Sequence, residues 1–240
     1  MKIALVTGGN KGIGFELCRN LAQAGCRVLL GARDRALGEK AVERLKQEGV
    51  GEVAVLEIDT TKQQTVTAAA QEIADTYGRL DILMNNAGIN VEGDGPPSVA
   101  NLEVVRMLLD TNFVGTLRVT QAMLPLLKRS PSGRIVNVSS ELGSLSMNSD
   151  PEWLHYDVKL IGYNASKAAI NMLTVQLAWE LRGTNVKVNC ANPGFTKTDL
   201  NGNRGTQPVE VGAIAATRLA LLEDDGPTGI AVSKDGRDPW

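Results

Sequence analysis

The sequence predicts a single doubly wound α/β domain over residues 1–240, with a parallel sheet of about seven strands and helices on both faces. Three observations carry that prediction. Short apolar runs alternate from end to end with helix-period segments, the pattern of strands buried on both sides between crossover helices. A glycine-rich loop, Thr7-Gly8-Gly9-Asn10-Lys11-Gly12-Ile13-Gly14, directly follows the first run and opens the first helix. No low-complexity linker or short repeat divides the 240 residues, a length that one core can fill.

The first strand is read at 3–6; its apolar run stops at Thr7-Gly8-Gly9 with no cleavage site after it, unlike a signal peptide. The next helix carries Ile13, Leu17, Cys18, Leu21 and Ala24 at helical spacing and stops at Gly25. A short buried strand follows at 28–30. Asp34 then caps a helix with Leu37, Val42 and Leu45 facing inward, and Gly49 ends it. Further strands are expected at 53–58, 82–84, 134–138 and 186–190, separated by helices near 62–77, 99–129 and 163–182. A helix at about 208–222 and a strand near 229–232 complete the order. The turn-rich stretches 92–98, 143–152 and 201–208 follow strands or strand ends, where open α/β sheets bind ligands, so they are expected to wall a pocket.

A hydrophobic content of 43%, a charged content of 22% and a net charge of −2 describe an ordinary globular protein. There is no basic excess to attract nucleic acid or an anionic membrane, so a small-molecule partner is expected. No apolar stretch approaches the roughly 18 residues of a membrane span, and a cytoplasmic location is expected. Cys18, Cys26 and Cys190 cannot all pair and are read as small buried hydrophobes. With His155 the only histidine and no CxxC, no metal site is expected.

Chemistry enters with Tyr163-Asn-Ala-Ser-Lys167. A Tyr and a Lys at i and i+4 share one helical face, where the ammonium favours the anionic form of the phenol and makes it a usable proton donor. Helical steps of about 100° bring Ile170, Leu177 and Leu181 to the same flank, so the pair faces inward. Tyr77 and Tyr156 have Asp81 and Leu160 at i+4, so only Tyr163 has such a lysine.

The glycine spacing Gly8-x-x-x-Gly12-x-Gly14 differs from the commonest dinucleotide fingerprint, but its physics is similar. Glycines let the backbone turn tightly and approach a diphosphate, which the free amides and positive dipole at the helix start would meet. At the end of the second strand, Gly31-Ala32-Arg33-Asp34 puts a small residue where an acid would bind ribose hydroxyls. Arg33 there offers a fork suited to phosphate, and Lys11 adds a second positive charge. NADP is favoured over NAD.

Together these segments resemble the compact branch of the short-chain dehydrogenase/reductase family, and most of all its NADPH-dependent carbonyl reductases. The likeness covers nearly the whole chain through residues 7–14, Asn85-Asn-Ala-Gly88, Asn112, the run Gly133-Arg-Ile-Val-Asn-Val-Ser-Ser140, Tyr163-x-x-x-Lys167 and Pro193-Gly194. It implies reduction of a ketone or aldehyde by hydride transfer from NADPH. The implied catalytic set is Ser140 to position the carbonyl, Tyr163 as general acid, Lys167 to bind the nicotinamide ribose and tune the tyrosine, and Asn112 to hold a water for proton relay. Ser140 is preferred to Ser139 because it fits the family's Ser-x-x-Gly through Gly143. Gly8, Asn10, Lys11, Gly12, Ile13, Gly14 and Arg33 are the expected cofactor residues on the phosphate side. Asp59, Asn86, Ala87 and Gly88 are expected on the adenine and ribose side, and Pro193, Gly194 and Thr198 near the nicotinamide.

Several roles have structural alternatives: Arg33 and Lys11 as solvated surface residues, Asn85 and Asn86 fixing the turn after the fourth strand, and Asn112 as a buried helix-bending residue. The stretch between Ser140 and Tyr163 is longer than in most compact members and shorter than the insertion of the monomeric carbonyl reductases, which leaves monomer and homo-oligomer both open. Its Trp153, Leu154, His155 and Tyr156 either cover the substrate or pack. Rival readings are a reductase dedicated to an acyl-thioester, steroid or terpenoid, and a non-catalytic NADP-binding regulator.

Overall fold

A computed structural model describes residues 1–240. Eight strands form one sheet: β1 (Ile3–Thr7), β2 (Arg27–Ala32), β3 (Val53–Glu57), β4 (Ile82–Asn85), β5 (Gly133–Val138), β6 (Val186–Ala191), β7 (Ala231–Ser233) and β8 (Gly236–Asp238). Their order is β3-β2-β1-β4-β5-β6-β7-β8. All neighbours pair in parallel except β8, which turns back antiparallel on β7. That eighth strand is absent from the seven expected; it is three residues long, mostly exposed and without an apolar run, so it leaves no periodic signal.

The helices are α1 (Gly12–Gln23), α2 (Arg35–Gln47), α3 (Gln63–Tyr77), α4 (Leu102–Leu109), α5 (Gly115–Leu127), α6 (Leu145–Asn148), α7 (Ile161–Glu180), α8 (Val209–Gly212) and α9 (Ile214–Ala220). Alternate residues of β1 enter different cores. Ala4 and Val6 join Val28, Leu30, Met84 and Val136 against α1, α2 and α9, whereas Ile3 and Leu5 join Leu29, Leu83, Ile135 and Val188 against α3, α5 and α7. Both faces are therefore covered, which is why the central strands read as unbroken apolar runs. A side chain such as Leu5, fully buried, contributes roughly 2 kcal/mol through the water it sheds.

Asp34 caps α2 as expected, accepting from the Leu37 amide at 3.0 Å, but Leu37 itself is exposed. Gly38, Ala41, Val42 and Leu45 form the inward face instead, because Gly38 lets α2 approach Val55 and Ala32 closely. Ala24 is exposed as well, beyond the end of α1. The helix expected at 99–129 is a single helical run divided by a π turn, Asp110–Val114, between α4 and α5. The segment at 208–222 divides into α8 and α9 next to Gly212, where any side chain would strike Thr196 Oγ1. All three cysteines are buried.

The order of strands reverses between β1 and β4, and a crevice opens at such a switch point beyond the carboxyl ends. Thr7-Gly8 leaves β1 on one side of it and Asn86-Ala87-Gly88 leaves β4 on the other.

Candidate active site

The glycine loop is shaped by contacts that exclude side chains. Gly8 and Gly12 have φ of +64° and +56°, and a Cβ on Gly14 would lie 2.2 Å from the Gly8 carbonyl oxygen. Thr7 ties this loop to the neighbouring turn: its hydroxyl accepts from the Asn86 and Ala87 amides, both at 3.0 Å. Asn86 returns the contact, donating from its side chain to the Thr7 carbonyl at 2.9 Å. Asn86 thus does fix the turn. Asn10, Lys11 and Ile13 follow the same path, and Lys11, the residue before α1, supplies no side-chain cap, which leaves the first amides of the helix available to an anion.

On the phosphate side Ala32 is buried at the end of β2, while Arg33 is exposed with no ion-pair partner. The Lys11 ammonium pairs with Asp199 at 2.9 Å, an exposed contact that links the Pro193–Pro208 stretch to the glycine loop. Thr198 covers Gly12 from the same stretch, with its methyl 3.4 Å from where a Gly12 Cβ would be. Gly194, with φ +66°, follows Pro193, and its amide donates to Asn192 Oδ1 at 3.0 Å. Asp59 accepts from the Thr61 amide and hydroxyl, which hold its carboxyl below the usual range even though burial acts against them.

Four side chains converge on the other side of the crevice. Tyr163 and Lys167 come from the first turns of α7 and are 9% and 6% exposed. Ile170, Leu177 and Leu181 are buried on the same flank. Lys167 Nζ lies 5.7 Å from the Tyr163 ring centre and donates to the Val138 carbonyl at 2.9 Å.

The two serines differ in burial and in partners. Ser139 is buried and donates to Asn171 Oδ1 at 2.7 Å, behind the site. Ser140 is half-buried beside the Tyr163 phenol, and its hydroxyl accepts from the Leu142 amide at 3.2 Å. Gly143 ends the turn between them and α7, packed so closely that a Cβ would lie 2.7 Å from the Lys167 carbonyl carbon.

Asn112 sits in the π turn, a place where helices commonly carry functional residues. Its amide donates to the Ile89 carbonyl and to Ser166 Oγ, each at 3.0 Å, and its oxygen accepts from the Ile89 amide at 2.8 Å. Both donors are committed, so a water here would be held by oxygen acceptors. A Cβ on Gly88 would lie 3.3 Å from Asn112 Oδ1 and 3.7 Å from Lys167 Nζ, so these three residues meet at one point.

The electrostatics depart from the simple Tyr/Lys expectation. Burial pushes the Tyr163 phenol up to about 12, opposed by the neighbouring Ser140 side chain, and the lysine does not offset it. Burial brings Lys167 down to about 8. The phenol is therefore protonated throughout the neutral range, ready to give a proton, and the lysine can exchange one near neutrality.

Trp153 and His155 are 5.5 Å apart in an edge contact, and His155 lies 6.2 Å from Phe195, directly after Pro193-Gly194. The segment between Ser140 and Tyr163 therefore packs on the turn beside the crevice. Phe195, Asp199 and Asp94 have no sequence signal, because each matters through a partner distant along the chain.

A sequence model of the short chain dehydrogenase family matches residues 2–208. (+)-Neomenthol dehydrogenase of Capsicum annuum is 33% identical, with 95% of this chain and 94% of the relative covered. That alignment runs over 301 residues, longer than this chain, so the relative carries stretches with no counterpart here. Carbonyl reductase (NADPH) 1 of Mus musculus is also 33% identical, with 99% and 98% covered. The solved structure of salutaridine reductase from Papaver somniferum superposes with a TM-score of 0.83 at 32% identity, covering 96% of this chain and 99% of that one. The chain belongs to the short-chain dehydrogenase/reductase family of oxidoreductases.

Proposed function

We propose that the protein reduces a ketone or aldehyde to an alcohol with NADPH. The observation that carries this reading is the convergence of Ser140, Tyr163, Lys167 and Asn112 beside a crevice whose glycine loop leaves no room for a side chain at Gly14 and little at Gly8. The crevice fits a phosphorylated dinucleotide. Gly8, Asn10, Lys11, Gly12, Ile13 and Gly14 offer backbone amides and an uncapped helix start to the diphosphate. Arg33, unpaired beyond a buried Ala32, would hold the ribose phosphate, with Lys11 in support once it leaves Asp199. Asp59, Asn86, Ala87 and Gly88 would line the adenosine side, and Pro193, Gly194 and Thr198 the nicotinamide side. NADPH, when bound, supplies the hydride.

In this reading the Ser140 hydroxyl donates to the substrate carbonyl oxygen and fixes its place beside the phenol. Tyr163 gives its proton to that oxygen as negative charge develops there. One Lys167 proton is held by Val138 O, leaving two for the nicotinamide ribose and for returning a proton to the phenol. Asn112 Oδ1, beside Lys167, would hold the water that reloads the lysine.

The aromatic trio Trp153, His155 and Phe195 supports an apolar carbonyl compound over a charged, carrier-bound thioester. Relatives named for neomenthol and salutaridine support the terpenoid-like alternative within that class. A cytoplasmic location fits the three unpaired cysteines.

The test is a panel of aliphatic, cyclic and aromatic ketones and aldehydes, followed by NADPH absorbance. Oxidation of NADPH with at least one carbonyl class is expected. Tight NADPH binding without turnover across the panel would instead make the protein a cofactor-binding regulator.

A further inference from the structure

The catalytic helix begins without a cap of its own. Leu160, the residue before α7, offers no side-chain acceptor, and the first bond within the helix is from the Asn164 amide to the Leu160 carbonyl. The amides of Ile161, Gly162 and Tyr163 therefore need partners from elsewhere. All three find them in one loop far earlier in the chain. Asp94 Oδ1 accepts from Gly162 N at 2.9 Å and Oδ2 from Tyr163 N at 2.8 Å, across 68 and 69 residues of sequence. The Gly95 carbonyl accepts from Ile161 N at 3.0 Å, and the Gly95 amide steadies the same carboxylate at 2.9 Å.

The fit is close. A Cβ on Gly162 would lie 2.8 Å from Leu108 Cδ1 and 3.1 Å from Val105 Cα on α4, so glycine is required for this loop and helix to reach the start of α7. The loop is held at its other end by Asn112, which brackets Ile89 through both backbone groups.

Building on the proposed reductase activity, we infer that Asp94 is a positioning residue for Tyr163. A carboxylate bridging two successive amides fixes the height and rotation of the first helical turn, and a negative charge at this end is favoured by the helix dipole. That turn carries the phenol. The rest of α7 is anchored independently by buried Ser166, Ile170, Thr174 and Leu177, so losing the carboxylate loosens the turn bearing Tyr163 and leaves the remaining helix in place. Because Lys167 lies one turn further in, cofactor binding is spared.

The experiment compares Asp94→Ala and Asp94→Asn with Asn101→Ala, which removes the side-chain cap of α4 at 2.9 Å and so serves as a purely structural control. With the best carbonyl substrate of the panel, Asp94→Ala should lower kcat roughly 10- to 100-fold, the scale of loss from a small misplacement of a reacting group. KM for NADPH should stay near wild type. Asp94→Asn, which keeps one acceptor oxygen, should recover part of the loss. Amide hydrogen exchange should quicken at 161–165 in Asp94→Ala and not in Asn101→Ala, a readout that does not depend on turnover. The inference is overturned if exchange at 161–165 is unchanged, or if folded Asp94→Ala or Asp94→Asn keeps the wild-type kcat, or if kcat falls equally in Asn101→Ala. Wild type failing to oxidise NADPH would overturn the proposed activity, while the exchange data would still decide whether Asp94 holds the turn.

Discussion

Replacing Lys167 with Met should remove most turnover and also erase one component of the protein's pH-dependent stability. Lys167 is 6% exposed, its ammonium donates to the Val138 carbonyl, and burial takes its pKa from 10.5 to about 8. Since each pKa unit is about 1.4 kcal/mol, the fold carries a penalty of roughly 3 kcal/mol for keeping this group charged below about pH 8. The folded pKa lies below the unfolded one, so between those values the unfolded chain binds more protons. Wild-type stability therefore rises with pH across that window. Tyr163 has the opposite sign, because its phenol is raised from 10.0 to about 12, and it acts only above about pH 10. Between about pH 7 and pH 9.5, wild type should thus gain roughly 2 kcal/mol more than Lys167→Met, because every other titration is common to both proteins. Urea unfolding at the two pH values measures this double difference. In parallel, kcat/KM for NADPH in wild type should fall about tenfold per pH unit above about 8, as the lysine loses its proton, whereas the Met variant should be low and flat. Stability curves that run parallel in the two proteins, or a Met variant with wild-type turnover, would refute the account of Lys167 as a buried working cation.

Tyr163→Phe should lower kcat roughly 100- to 10,000-fold with NADPH affinity near wild type, because only the transferred proton is lost; retention of more than about a tenth of the rate would exclude Tyr163 as the acid. Gly143→Ala would press a methyl into the backbone of Lys167 and Ala168, at a cost of about 1–3 kcal/mol, and should lower kcat by moving Ser140 off the phenol. A folded variant with unchanged kcat would show that the turn yields without moving Ser140. Ala32→Asp with Arg33→Ile adds a repulsive carboxylate and removes the phosphate fork, so the kcat/KM ratio of NADPH to NADH should fall at least roughly tenfold for each 1.4 kcal/mol of differential binding lost. Asp199→Asn, which frees Lys11, should move that ratio the other way, and if neither change alters it the ribose phosphate is bound elsewhere.

Much of the molecule follows from local pattern. Residues 3–6 are apolar on both faces because Ala4 and Val6 enter one core and Ile3 and Leu5 the other, and that double burial already separates a parallel sheet from a half-exposed one. Gly14 and Gly143 are legible at their spacings because each marks a backbone approach that no side chain survives, and Tyr163 and Lys167 because helical geometry alone makes them neighbours. The remaining features depend on partners that only the strand order brings together. Leu37 has the period of a core residue, yet the gap beside Val55 was taken by Gly38, leaving Leu37 in solvent. The phenol is raised rather than lowered because burial outweighs the opposing Ser140 side chain, while Lys167 is itself brought down by burial, an outcome set by the packing around both groups. Lys11 meets Asp199, and Asp94 meets the start of α7, across long separations that no periodicity encodes. Local sequence spacing dictates which groups share a face, whereas desolvation and long-range hydrogen bonding arise only when the sheet closes the distance between segments that are far apart in the chain.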